Sequence, residues 1–130
     1  MSERFRRVVL ESPYGGDVER NKRYARACVR DCLQRGESAI ASHLLYTQEG
    51  ILDDAVPAER MLGIRAGWAW MPVADAVVVY TDLGTSDGMR EGIRTAARLG
   101  CLIEYRSLKE WASDGAGGQR PGGVREQPGA

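Results

Sequence analysis

The sequence predicts an α/β domain: a four-stranded parallel sheet with helices on both faces, three layers in all. Three observations lead there. Short β-branched runs alternate with stretches of helical periodicity in the order β-α-β-α-β-α-β, about one helix per strand. Asp75–Tyr80 (DAVVVY) is a continuous apolar run, as a central parallel strand buried on both sides requires. Helix breakers punctuate the pattern, with Gly36 and Gly100 closing helical stretches and Pro57 and Pro72 bracketing another.

Each element has a local reason. Arg6–Ser12 (RRVVLES) is a short strand stopped by Pro-Tyr-Gly-Gly. From Asp17, a residue suited to N-capping, the pattern turns helical. Tyr24, Cys28 and Cys32 share its apolar stripe, and Arg20, Arg23, Arg26 and Arg30 lie on other faces. Ser38–Ser42 (SAIAS) is the second strand, and His43–Val56 reads as a long connection. Pro57 opens the next helix at a first-turn position, with Met61, Leu62, Ile64 and Trp68 expected on the buried side. After Asp75–Tyr80 come LGTSDG and a helix over Ser86–Leu99, with Met89, Ile93, Ala96 and Ala97 expected inward. Cys101–Tyr105 is the last strand.

A length of 130 residues suits one domain, and we place it at 1–112. Residues 113–130 carry six glycines and two prolines and cannot bury enough apolar surface to offset their ordering entropy, so a disordered tail is expected there. Lysine plus arginine and aspartate plus glutamate both number 18, which removes the electrostatic case for a nucleic acid polymer as partner. Apolar stretches such as Ala76–Tyr80 fall far short of the ~20 residues of a membrane span, and the first residues do not read as a signal peptide. Three cysteines without a CxxC pair, and a single histidine, give no metal-ligand pattern; no metal or cofactor is expected, in a reduced, cytoplasmic protein.

In parallel sheets ligands bind beyond the carboxyl ends of the strands, which directs attention to three loops. The first offers Ser12, Tyr14, Gly15 and Gly16: two glycines that allow close backbone approach, and an aromatic ring that can stack on a base or hydrogen-bond a sugar. The second carries His43, either a structural side chain or a functional one at the working edge of the sheet. The third, Gly84 through Met89, hands a strand to a helix N-terminus, where Ser86 and Gly88 either hold an anion or simply cap the helix. Neither GxGxxG nor GxxxxGK[ST] occurs.

VVLESPYGGDVERN, SHLLY, ERMLGIRAG and DAVVVY…SDGM…AARLG, in this order over roughly Arg6 to Arg106, resemble the nucleoside 2-deoxyribosyltransferase superfamily, most of all its small phage and bacterial members of uncharacterised function. The resemblance implies a Rossmann-like fold, a pocket for a nucleoside or nucleotide, and cleavage or transfer at the N-glycosidic bond. In such proteins a glutamate on the helix after the third strand attacks the anomeric carbon. By position Tyr14 matches the first-loop aromatic, Asp82 the acid beyond the third strand, and Ser86 with Gly88 the contact at the 5′ side. The pattern Ser-x-Gly-aliphatic-x-x-Glu puts the nucleophile at 92, where this chain has Gly92. The adjacent Glu91 points ~100° away around the helix.

The expected machinery is therefore Glu91 and Asp82 for chemistry, with Ser12, Tyr14, Gly15, Gly16, His43, Gly84, Ser86, Gly88 and Met89 around a nucleoside or nucleotide. Two functions compete: an N-glycosidase or deoxyribosyltransferase, and a non-catalytic binder that sequesters a nucleotide-derived signal, as a phage anti-defence protein would. A plain interaction module, with Trp68 and Trp70 at a subunit contact, is the third. Relatives in the resembled superfamily tend to form homodimers or larger assemblies, so self-association is expected under each.

Overall fold

The structure, a computed structural model, describes residues 4–111. The glycine- and proline-rich stretch 113–130 lies outside them. The chain runs β1 (Arg6–Glu11), α1 (Val18–Gln34), β2 (Glu37–Ile40), α2 (Ser42–Leu45), α3 (Pro57–Trp68), a short 3-10 turn (Met71–Val73), β3 (Ala76–Tyr80), α4 (Asp87–Arg98) and β4 (Ile103–Arg106). All pairings are parallel, in the order β2-β1-β3-β4. The expected α/β architecture is therefore present, with one addition: the connection after β2 begins with the four-residue helix α2.

Strand order fixes the layers. The chain moves outward from β1 to β2, then returns across β1 to β3 and continues to β4. Crossovers in parallel sheets are right-handed, so reversing direction puts the later helices on the opposite face from the first. Accordingly Tyr24, Cys28 and Cys32 of α1 pack with Val8, Leu10, Val78 and Tyr80 on one face. Met89 and Ala96 of α4 pack with Val9, Val77 and Val79 on the other, joined by Trp68 of α3. Every residue of β3 is buried, in keeping with its unbroken apolar sequence.

Helix ends follow local chemistry. Asp17 accepts the backbone N–H of Arg20 at 3.2 Å at the start of α1. Ser86 accepts that of Met89 at 3.2 Å at the start of α4. The inward stripe of α4 is Met89, Gly92, Ile93 and Ala96, at helical spacing, and Ala97 is exposed rather than buried as expected. Met61 and Leu62 also depart from expectation, at 47% and 55% exposure. The face that α3 turns to its neighbours is instead its glycine ridge, where a Cβ on Gly67 would sit 2.4 Å from Ser42 Oγ of α2. A helix held that close by small residues leaves its larger side chains pointing elsewhere.

Polar groups buried beneath the C-terminal end of α1 are paired. The Arg106 guanidinium donates twice to the Glu37 carboxylate, at 2.7 Å each, and once to Glu104 at 2.8 Å. Arg6 bridges the same two acids at 3.0 and 2.5 Å. Tyr80 donates to Asp31 at 2.6 Å and accepts from Arg106 at 3.2 Å. The Arg106 and Glu37 side chains are only 7% and 5% exposed, so each depends on the other for compensation. The arginines hold Glu104 down at about 2, and Glu37 below the usual carboxylate range. Glu37→Ala removes the bidentate partner of a buried guanidinium and is expected to cost about 3 kcal/mol in urea unfolding. A loss below about 1 kcal/mol would show that Glu104 alone compensates Arg106.

Candidate functional site

The carboxyl ends of the strands open into a cleft of about 630 Å³. Directions diverge between β1, which leads out to β2, and β3, which leads out to β4, so the first loops leave opposite faces there and a crevice remains. From the first loop Ser12, Tyr14 and Gly15 line it, and from the second Ser42 and His43. The start of α4 adds Ser86, Gly88, Met89 and Glu91. Met61, Ile64 and Trp68 form the wall on the α3 side, so Met61 faces the cleft and not the core.

The loops are held from behind. Asn21, 1% exposed in the first turns of α1, donates through Nδ2 to the carbonyls of Tyr14 and Gly15 at 2.9 and 2.8 Å. That clamp fixes the peptides around the Tyr14 ring. Ser12 Oγ and His43 Nε2 lie 2.7 Å apart, linking the first loop to α2. Burial pushes the imidazole down to about 4, so it is neutral near pH 7. The Asp87 and Gly88 amides that open α4 have no helical partner and lie at the positive end of its dipole, beside the cleft, while that of Met89 is taken by Ser86 Oγ.

Other residues expected at the site sit differently. Asp82 does not line the cleft: its carboxylate accepts from Tyr24 Oη at 2.7 Å, Ser107 Oγ at 2.5 Å and the Leu108 N–H at 2.8 Å. This acid ties the loop after β3 to α1 and to the segment beyond β4. Gly16 and Gly84 also lie outside the lining, at turns with φ of 91° and 85°. Glu91 stands at the exposed rim, paired with Arg94 at 2.5 Å.

A family profile described as a domain of unknown function, DUF7768, matches residues 6–106. The chain belongs to that family. The matched span begins with the first residue of β1 and ends with the last of β4, so the DUF7768 unit is the sheet together with its crossovers. The chain matches no curated protein.

One acid in the DUF7768 cleft was absent from the expected set. Glu11 ends β1 and turns toward α4, where its carboxyl lies against Gly92. A Cβ on residue 92 would fall 2.4 Å from Oε2, 2.7 Å from Cδ and 2.9 Å from Oε1. Among the described residues nothing donates a hydrogen bond to Glu11 or pairs with its charge, and burial pushes it up to about 8. Two signals in the sequence pointed to it: an acid directly after the apolar run Val8–Leu10, and a glycine on the inward stripe of an amphipathic helix. Asn21 had no such signal, because its role rests on carbonyls that only the folded loop turns toward it.

Glu11 and His43 titrate in opposite senses. Folded Glu11 keeps its proton from about 4.5, where the unfolded residue loses it, up to about 8, so stability falls as pH rises through that window. Between about 4 and 6.5 the unfolded histidine binds a proton that the folded one refuses, so stability there rises with pH. From 6.5 to 8 only the Glu11 contribution remains of the two. Wild type should lose about 1–2 kcal/mol over that interval in chemical denaturation, and Glu11→Gln should not. A slope that survives in the variant would mean that Glu11 is not the buried acid responsible.

Proposed function

We propose that this protein binds a nucleoside or nucleotide in the cleft between β1 and β3 and acts on its N-glycosidic bond. The observation that carries the reading is the convergence of three different chemistries on one crevice at the strand ends. Tyr14 is clamped in position to stack on a base, and the opening amides of α4 suit a phosphate or a 5′ oxygen. The Ser12–His43 pair supplies neutral hydrogen-bonding groups for a sugar hydroxyl. A volume of about 630 Å³ lies within the range typical of small-molecule sites. The resemblance to nucleoside 2-deoxyribosyltransferases supports the bond assignment.

One observation favours a second reading, a binder that sequesters a nucleotide-derived signal without chemistry: Gly92 stands where the resemblance puts a nucleophile. Both readings require binding. Calorimetry with ribonucleosides, deoxynucleosides and their 5′-monophosphates should give saturable heats for at least one compound. Tyr14→Ala should weaken that compound at least about fivefold, since base–aromatic stacking is worth about 1–3 kcal/mol. Release of free base from the same panel, followed by chromatography, separates the readings. Absence of binding throughout would refute both.

A further inference from the structure

We propose that Glu11, seated on the bare Cα of Gly92, is a catalytic residue of the cleft that donates its carboxyl proton to the departing base of an N-glycoside. The inference rests on the nucleoside reading of the cleft and adds the group that performs the step.

Four observations converge on this carboxyl. Its position is the first: β1 is an inner strand, and its last residue sits at the crevice where β1 and β3 diverge. Its direction is the second: Val9 and Glu11 share the α3/α4 face of the strand, and both line the cleft. Its space is the third, since no side chain on residue 92 can coexist with the carboxyl where it lies. Its isolation is the fourth. Glu37, Glu104 and Asp82 are all answered by donors at 2.5–3.3 Å. Glu11 has no such donor among the described residues. Holding a half-buried carboxyl where no protein group donates to it is unfavourable, and folding gains nothing from it that an apolar residue would not supply. Function is the remaining reason to keep it.

The environment also selects the role. A carboxyl that is neutral near pH 7 is a proton donor and not an anionic nucleophile. As the C1′–N bond breaks, its electron pair goes to the base and the Glu11 proton goes with it, releasing a neutral base. The carboxylate left behind faces the positive charge developing at C1′ and stabilises it. A water oxygen then bonds to C1′, and the proton it sheds restores the acid. The sum is nucleoside plus water giving free base plus sugar.

The test compares wild type, Glu11→Gln and Gly92→Ala on nucleosides, deoxynucleosides and 5′-monophosphates, with base release and calorimetric affinity measured on the same preparations. Glu11→Gln should cut base release at least 100-fold, as for loss of a general acid, with affinity changed less than about threefold. On a 4-nitrophenyl riboside, whose leaving group departs without a proton, the same variant should lose less than about tenfold. Gly92→Ala keeps the acid but displaces it, and should lose at least tenfold on nucleosides. Equal losses on both leaving groups, a glycosyl adduct on Glu11 seen by mass spectrometry, or base release that survives either substitution would each overturn the proton-donor role. Binding without base release from wild type would overturn it too, leaving the binding reading intact. Absence of both would end the two together.

Discussion

The return of the chain across β1 after β2 is the constraint on which the rest depends. With right-handed crossovers, that reversal places α1 on one face and α3 with α4 on the other. It also forces neighbouring strands β1 and β3 to send their following loops to opposite faces, so that no helix covers the gap between their ends. The cleft is what the topology leaves unfilled there, reached by residues near the ends of β1, β2 and β3 and walled on one side by α3. Ser12, His43 and Ser86 meet around one space for that reason, although long stretches of sequence separate them.

The two faces of the sheet treat polar groups in opposite ways. On the α1 face a guanidinium that is 7% exposed holds a carboxylate that is 5% exposed through two hydrogen bonds, with Arg6 and Glu104 completing the set. Such a cluster has little net effect compared with an apolar filling, yet is costly to break, so it favours one arrangement of β1, β2 and β4 over slipped alternatives. On the other face the Glu11 carboxyl sits with no donor among the described residues. Within one domain, then, buried and half-buried acids are either matched by donors or left open, and Glu11, the open one, lies in the cleft. Asp82 belongs with the matched set, because three donors occupy its oxygens and it fastens a loop.

Much of the fold was legible because its signals are local. Periodicity placed all three long helices, the DAVVVY run marked the inner strand, and Asp17 declared itself as a cap, as Ser86 did in one of its two readings. Errors came where packing overrides pattern. Met61 and Leu62 read as core residues, but α3 approaches its neighbours through Gly63 and Gly67, a surface that hydrophobicity does not register. The four residues of α2 carry too little sequence to show a period. Strand-end logic put the loops at the site. Assigning acids to roles was harder, because whether an acid is answered by donors can depend on contacts between distant segments, as with Tyr24 and Leu108 for Asp82.

Gly92 shows how far two residues can be read as one feature. Taken alone it is a helix-interior glycine, expected to be unfavourable by about 1 kcal/mol relative to alanine. Taken with Glu11 it is the only residue type that leaves the carboxyl where it lies. A carboxylate presented from position 92 and one presented from position 11 would compete for the same volume, so the site can hold one or the other. Any side chain at position 92 would therefore require the Glu11 carboxyl to move. A helix delivers a side chain from a surface that can shift by a fraction of an ångström as neighbours repack. The strand delivers it from a backbone paired at this residue with Val79 of β3. A carboxyl anchored that way keeps its position when the cleft fills, and an acid that must meet a leaving atom within hydrogen-bond reach depends on that.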